Sequence, residues 1–273
     1  MTYTVLTLFP EIIDAYFAAS IMAKAVERGI VSYRAVNIRD FALDRHHTCD
    51  DAPYGGGPGM LMLPEPLGRA MEAAGAGPKK SADPTAERPT AERPTAERPT
   101  AERPTAERRV IYLSPSGRTF DQALAGELAA CRELIILCGR YEGIDQRIID
   151  RYVDEEISVG DYVLSSGETA ALVLIDATYR LVDRVIASES LEEETFSGGL
   201  LEYPQYTRPE IYDTLQVPDV LLSGHHENIR RWRLRKRVEK TCALRPDLIR
   251  RGLERGLFDG ETRGLIQEIQ GHE

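Results

Sequence analysis

This sequence predicts an α/β protein, a mostly parallel sheet with helices on both faces, followed by a small helical domain at the C-terminus. Three observations carry that expectation. Over the first two thirds, strand-like apolar runs alternate with amphipathic helix-like stretches, the pattern of a parallel sheet covered by its crossover helices. Two of the apolar runs, Leu134–Leu137 and Ile157–Val159, empty into the glycine-punctuated loops Cys138–Asp145 and Gly160–Glu168. From about Pro204 the pattern changes to short polar turns and then an arginine-rich helix.

The elements follow in order. Thr4–Phe9 reads as a buried strand, and Pro10 opens a helix with Ile12, Ile13, Tyr16, Phe17 and Ile21 on one side and Gly29 as its stop. Val31–Ile38 is a second strand and Leu63–Ala74 a helix. Arg109–Leu113 is a strand, Asp121–Ala130 a helix, Leu134–Leu137 a short buried strand and Ile144–Tyr152 a helix. Ile157–Val159 is another strand, and Glu168–Leu181 a long apolar helix. The expected organisation is one domain over residues 1–186, an acidic linker over 187–195 and a helical domain over 196–273.

A strand that empties into a glycine loop is where α/β proteins place ligands, because backbone without Cβ atoms can approach a bound molecule. Two such loops so close in sequence suggest one cradle built from both. A third glycine cluster, Tyr54–Met60, lies upstream. Neither a G-x-G-x-x-G nor a G-x-x-x-x-G-K-[ST] pattern occurs, so a dinucleotide fold and a P-loop are both unsupported.

Composition narrows the partners. No apolar stretch approaches the roughly 18–20 residues that span a bilayer. Met1–Pro10 lacks a basic leader region, so a cytoplasmic protein with no membrane association is expected. Cys49, Cys131, Cys138 and Cys242 form no C-x-x-C pair and read as reduced thiols. His46-His47 and His225-His226 lack helical i, i+4 partners, so no metal site is expected. A formal net charge of −10 argues against a nucleic-acid binder. Its distribution argues the other way, since residues 225–255 hold eleven basic side chains against four acidic ones. That asymmetry is the footprint of a phosphate-binding surface, with Arg230, Arg231 and Arg233 at its start.

Thr85–Arg108 is a tandem pentapeptide, Thr-Ala-Glu-Arg-Pro four times and then Thr-Ala-Glu-Arg. Each proline removes an amide donor and disfavours helix at the residue before it. With balanced charge and no large apolar side chain, the insertion over 84–108 is expected to be a disordered excursion.

An ordered set of motifs gives the strongest signal. It comprises Arg39-Asp-Phe41, Asp50–Met60, Tyr112-Leu-Ser-Pro-Ser-Gly117, Cys138-Gly-Arg-Tyr-Glu-Gly-Ile-Asp145, Gly160-Asp-Tyr-Val-Leu164, Tyr206-Thr-Arg-Pro209 and Leu221–His226. Taken together, the series closely resembles the bacterial tRNA (guanine-37 N1)-methyltransferase family of the SPOUT superfamily, from Leu8-Phe-Pro10 to Arg245–Leu248, the repeat apart. The resemblance implies a trefoil knot, S-adenosylmethionine as methyl donor, a tRNA with guanine 37 as acceptor, and a homodimer whose active sites form between subunits. By position in the motifs it implies that Gly139, Val159, Gly160, Asp161, Tyr162, Val163 and Leu164 bind the donor, with Pro115, Tyr141, Glu142 and Gly167 beside it.

Methylating guanine N1 requires removal of the N1 proton and stabilisation of charge on O6, hence a carboxylate and a cation. The resemblance puts these roles on Glu194 and Arg180, with Glu193 and Glu192 as alternatives for the base. A glutamate stands where the family has an aspartate, so the carboxylate is carried one methylene further. From the residues alone, Arg180 is a helix C-terminal charge and the glutamates a solvated linker. Ser166, Ala170 and Val182-Asp-Arg-Val185 also depart from the family pattern. Two other readings stand beside this one, a methyltransferase acting on a ribosomal RNA base and an RNA-binding module without catalysis.

Overall fold

A computed structural model describes residues 1–79, 107–186, 195–196 and 198–271. Two compact units divide it, Met1–Val185 and Ile186–Glu273. Most of the pentapeptide repeat and the acidic run through Glu194 lie outside the described residues.

The first unit is built on five parallel strands. These are β1 (Thr2–Thr7), β2 (Ser32–Asn37), β5 (Arg108–Thr119), β6 (Glu133–Leu137) and β7 (Glu155–Ser158), in spatial order β2-β1-β6-β5-β7. A two-residue antiparallel pair, β3 (Asp50–Asp51) with β4 (Leu61–Met62), closes the glycine cluster between them. The helices are α1 (Pro10–Phe17), α2 (Ser20–Glu27), α3 (Pro64–Ala73), α4 (Gln122–Ala129), α5 (Gln146–Tyr152) and α6 (Gly167–Tyr179).

Alternation along the strands sends side chains to two cores. Tyr3 and Val5 of β1, with Ile111, Leu134 and Ile136, pack against α1, α2, α4 and α6. Leu6, Val110, Tyr112, Ile135 and Leu137 face the other way, onto α3 and α5. Helices therefore cover both faces, and the central runs Leu134–Leu137 of β6 and Val110–Leu113 of β5 are continuous and apolar because neither face meets water there.

Three boundaries differ from expectation. The helix opened by Pro10 is two helices, broken at Ala18–Ala19, with Ser20 in left-handed backbone at φ 52°. No glycine or proline marks that break, so apolar spacing ran through it. β5 starts at Arg108, one residue early, which takes the repeat's last arginine into the sheet and shortens the predicted insertion. The Arg108 guanidinium bonds Glu133 at 2.6 Å and the carbonyl of Gly75 at the end of α3. β5 also runs on to Thr119. Leu113 and Arg118 both pair with Ile157, so Ser114–Gly117 loops out of the ladder between them.

In the second unit, a small hairpin of β8 (Ile211–Tyr212) and β9 (Leu215–Gln216) precedes helices α7 (Asp219–Leu222), α8 (His226–Leu244), α9 (Pro246–Glu254) and α10 (Gly260–Gln270). Its core is small, with Leu200, Val238, Ile249, Phe258 and Ile266 buried together. Gly252 lets α9 pass under Phe258, where a Cβ would stand 2.2 Å from the ring.

Candidate active site

The loops that leave the C-terminal ends of β1, β5, β6 and β7 gather at one edge of the sheet, where parallel α/β sheets bind ligands. Residues 138–145 leave β6 between two neighbours. On one side the amide of Gly167, the first residue of α6, donates to the carbonyl of Gly139 at 2.9 Å. On the other the amide of Glu142 donates to Met60 at 3.0 Å, and Met62 donates to Gly143 at 3.0 Å. The expected pairing of two glycine loops is therefore present, and the upstream glycine cluster joins it.

Close approach explains the glycines. A Cβ on Gly167 would stand 2.6 Å from the Gly139 nitrogen and 2.8 Å from the Cys138 Cα. A Cβ on Gly139 would meet the Tyr112 hydroxyl at 2.9 Å, and one on Gly59 would overlap the Glu142 side chain. Gly160 holds φ 151° and is covered by the ring of Tyr162, whose hydroxyl donates to the Val159 carbonyl at 3.2 Å. The Ser158 hydroxyl caps the same turn, accepting from the Gly160 amide and donating to its carbonyl.

Asp161, Tyr162, Val163 and Leu164 project outward, and Val163 is 88% exposed. Pro115 lies on the loop-out of β5, exposed. Tyr141 adopts φ 57°, a left-handed turn, with its hydroxyl pushed up first by desolvation and then by the Asp50 charge. Backbone amides and carbonyls, apolar walls at Tyr162 to Leu164 and the Glu142 carboxylate thus share one edge. That set suits a ligand with a flat apolar base and a cationic group.

Two residues that motif reading passed over support this edge. Gly117 has no room for a side chain, since a Cβ would sit 2.4 Å from the backbone of Glu156 and Ile157. Tyr112 packs its ring beneath Gly139 and Gly143, and burial pushes its hydroxyl up to about 12. The Tyr112–Gly117 motif held both; the signal was there, without a reason to separate structural from ligand-facing members.

Arg180 is not brought to this edge. It caps the C-terminus of α6, whose first residue is Gly167, so the helix rise alone separates them by roughly 20 Å. Beside it the Tyr179 hydroxyl is raised first by burial, then by the Asp176 charge, with Arg180 opposing. Glu194 lies outside the described residues.

The basic segment forms α8 and α9, and acids hold much of its charge. Arg230 bonds Glu227 at 3.0 Å and Glu261 of α10 at 2.9 Å, and Arg231 bonds Glu227 at 2.9 Å. Arg233 lies over the Tyr203 ring at 4.8 Å. Sequence counting saw eleven cations and missed that their partners include glutamates from α10, beyond the counted window.

A family model described as tRNA (Guanine-1)-methyltransferase TrmD matches residues 1–251. The chain is similar to the tRNA (guanine-N(1)-)-methyltransferase of Treponema denticola, 55% identical over 270 residues and covering 99% of each chain. It is 52% identical over 269 residues to the Treponema pallidum protein of that name, covering 98% of this chain and 96% of the relative. Over 267 residues it is 51% identical to the Borreliella burgdorferi protein, covering 97% and 98%. With the glycine loops, their order and their contacts all in place along a matched length of this extent, the chain belongs to the tRNA (guanine-1)-methyltransferase family.

Proposed function

We propose that this protein is a cytoplasmic enzyme that transfers a methyl group from S-adenosylmethionine to N1 of guanine 37 in tRNA, working as a homodimer. The residues at the sheet edge fit that donor. Gly139, Gly160 and Gly167 bring the backbone of the two loops close together without side chains between them, Tyr162, Val163 and Leu164 offer exposed apolar surface to an adenine, and Glu142 matches an ammonium. When bound, S-adenosylmethionine supplies an electrophilic methyl group on a sulfonium. Val159, Asp161, Pro115 and Tyr141 complete the cradle in this reading, in which the β6 and β7 loops form the trefoil knot.

The observation that carries the two-subunit reading is the length of α6. Arg180 and the cradle sit at opposite ends of a 13-residue helix, so they cannot face one guanine within a single chain. A partner protomer placed antiparallel brings its Arg180 to this chain's cradle. There the guanidinium stabilises charge growing on O6, and Glu194 or a neighbouring glutamate takes the N1 proton. With the proton removed and O6 held, N1 would be the nucleophile facing a methyl donor held in the cradle. Helix α8 attracts the tRNA backbone through Arg230, Arg231 and Arg233.

Labelled methyl transfer to two transcripts that differ only in guanine or adenine at position 37 tests the reading. Transfer to the guanine transcript alone is expected. Equal labelling of both, or of neither, removes it.

A further inference from the structure

Behind the glycine loops lies a charge pair that the proposed chemistry does not use. Glu168, in the first turn of α6, is 0% exposed. Its carboxylate accepts from the Thr7 hydroxyl at 2.5 Å and from Arg140 Nε at 3.0 Å. Thr7 ends β1, and its hydroxyl also accepts from the Phe9 amide at 2.9 Å. The Arg140 guanidinium lies 4.3 Å from the centre of the Phe9 ring. Three segments that only tertiary structure brings together, the β1 end, the β6 loop and the α6 start, are thus fastened at one buried point.

An ion pair with one partner fully buried is weak evidence for stability, because the desolvation cost offsets the attraction. Its geometry constrains the loop more than its energy holds the fold. Arg140 stands between Gly139, whose carbonyl accepts from Gly167, and Tyr141, held at φ 57°. Fixing Arg140 therefore fixes the two peptide groups on either side of it. Cys138, fully buried next to Glu168, has its thiol raised far up by burial and then by that carboxylate, so it remains neutral. No second anion competes for Arg140 from that position.

We infer that Glu168 and Arg140 are positioning residues, a clamp anchored on a buried carboxylate that holds the Gly139–Gly143 turn in its ligand-ready shape before any donor arrives. The inference rests on the reading of that turn as the donor's cradle. Neither side chain touches the donor in this account. Each acts through the backbone that it immobilises.

The test separates shape from stability. Arg140→Met leaves the fully buried Glu168 carboxylate uncompensated, and Glu168→Leu leaves the half-buried Arg140 guanidinium without its carboxylate, so each lowers the melting temperature, the first by more. The double variant removes both charges, so its melting temperature is expected to return close to wild type. If the clamp positions the turn, two readouts stay impaired in that refolded protein. Amide hydrogen exchange at residues 139–143, measured without ligand, is expected to run at least about tenfold faster. S-Adenosylmethionine affinity by calorimetry is expected to fall about tenfold or more, because ordering the turn then has to occur on binding. A double variant with wild-type exchange and wild-type affinity overturns the inference. If the double variant does not fold, Thr7→Val, which deletes one neutral bond to the same carboxylate, decides by the same two measurements. Unchanged exchange and affinity there overturn it too. Wild-type protein that shows no affinity for S-adenosylmethionine refutes the donor reading instead, while the exchange comparison still tests the clamp.

Discussion

Gly167→Ala is the sharpest probe of the cradle, because its consequence follows from distances between backbone atoms. The added methyl would lie 2.6 Å from the Gly139 nitrogen and 2.8 Å from the Cys138 Cα, whereas ordinary contact begins near 3.4 Å. No side chain can swing away, so the β6 loop and the start of α6 must part by roughly 0.6–0.8 Å, which also stretches the 2.9 Å bond from Gly167 to Gly139. Overpacking of this kind costs about 1–3 kcal/mol. At about 2–4 °C per kcal/mol for a chain of this size, melting should fall by roughly 2–12 °C. Displacing catalytic geometry by nearly an ångström should cut kcat/KM about 10²-fold. Thermal unfolding and labelled methyl transfer to tRNA measure the two. A variant that melts and turns over like wild type would mean that the two loops do not meet. Gly126→Ala is the control. It lies inside α4 with nothing within 4 Å of the new methyl, and should stabilise by about 0.5–1 kcal/mol.

Other outcomes follow from the same geometry. Glu194→Gln and Arg180→Ala should each lower turnover about 10²–10⁴-fold while leaving donor affinity intact; near-normal turnover in Glu194→Gln with loss in Glu193→Gln moves the base by one residue. Mixed dimers of Gly167→Ala and Arg180→Ala chains should regain about a quarter of wild-type activity, since half the dimers mix and each mixed dimer has one intact site; no recovery on mixing contradicts the two-subunit site. Glu227→Gln releases Arg231 and leaves Arg230 with Glu261 alone, so tRNA should bind more tightly and with a steeper salt dependence, and an unchanged slope makes those arginines a solvated face. The Glu227 and Asp247 carboxyls are both lowered to about 2, first by hydrogen bonds from Arg230 and Arg245. Their folded values lie below the unfolded ones near 4, so the stabilisation is present above about pH 4 and is lost as pH falls toward 2. Glu227 is exposed and Asp247 half-buried at the surface, so the loss should be small and shrink in high salt in an acid titration followed by circular dichroism.

Much of this fold could be read from local pattern. The sheet strands and α3 to α6 stand within two or three residues of where apolar spacing put them, because strands buried on both faces and helices with one apolar stripe leave distinct periods. The second half of β5 could not be read that way. Ser-Pro-Ser-Gly117 signals a turn, and only the partner strand shows that Arg118 and Thr119 rejoin the ladder. The glycine loops were legible as a site, since their motifs are contiguous. Glu168 with Arg140 was not, for 28 residues separate them and nothing local marks either as buried. The distance from Arg180 to the cradle was likewise a property of α6 as a rod, invisible to a motif that names residues one at a time.

The contact between Arg108 and Gly75 carries one more consequence. The arginine that opens β5 is fastened to Gly75, two residues past the end of α3, so the points where the chain departs and returns are fixed to each other by the folded body. Whatever lies between them changes the closure entropy only logarithmically, about 0.6 kcal/mol for each doubling. Adding or removing whole pentapeptides is therefore expected to leave methyl transfer near its original rate. The same clasp is a docking port for protein engineers. A reporter domain spliced in place of Thr85–Pro104 should leave melting temperature and methyl transfer near their original values, whereas breaking the clasp with Arg108→Ala should make the enzyme sensitive to the length of the insert.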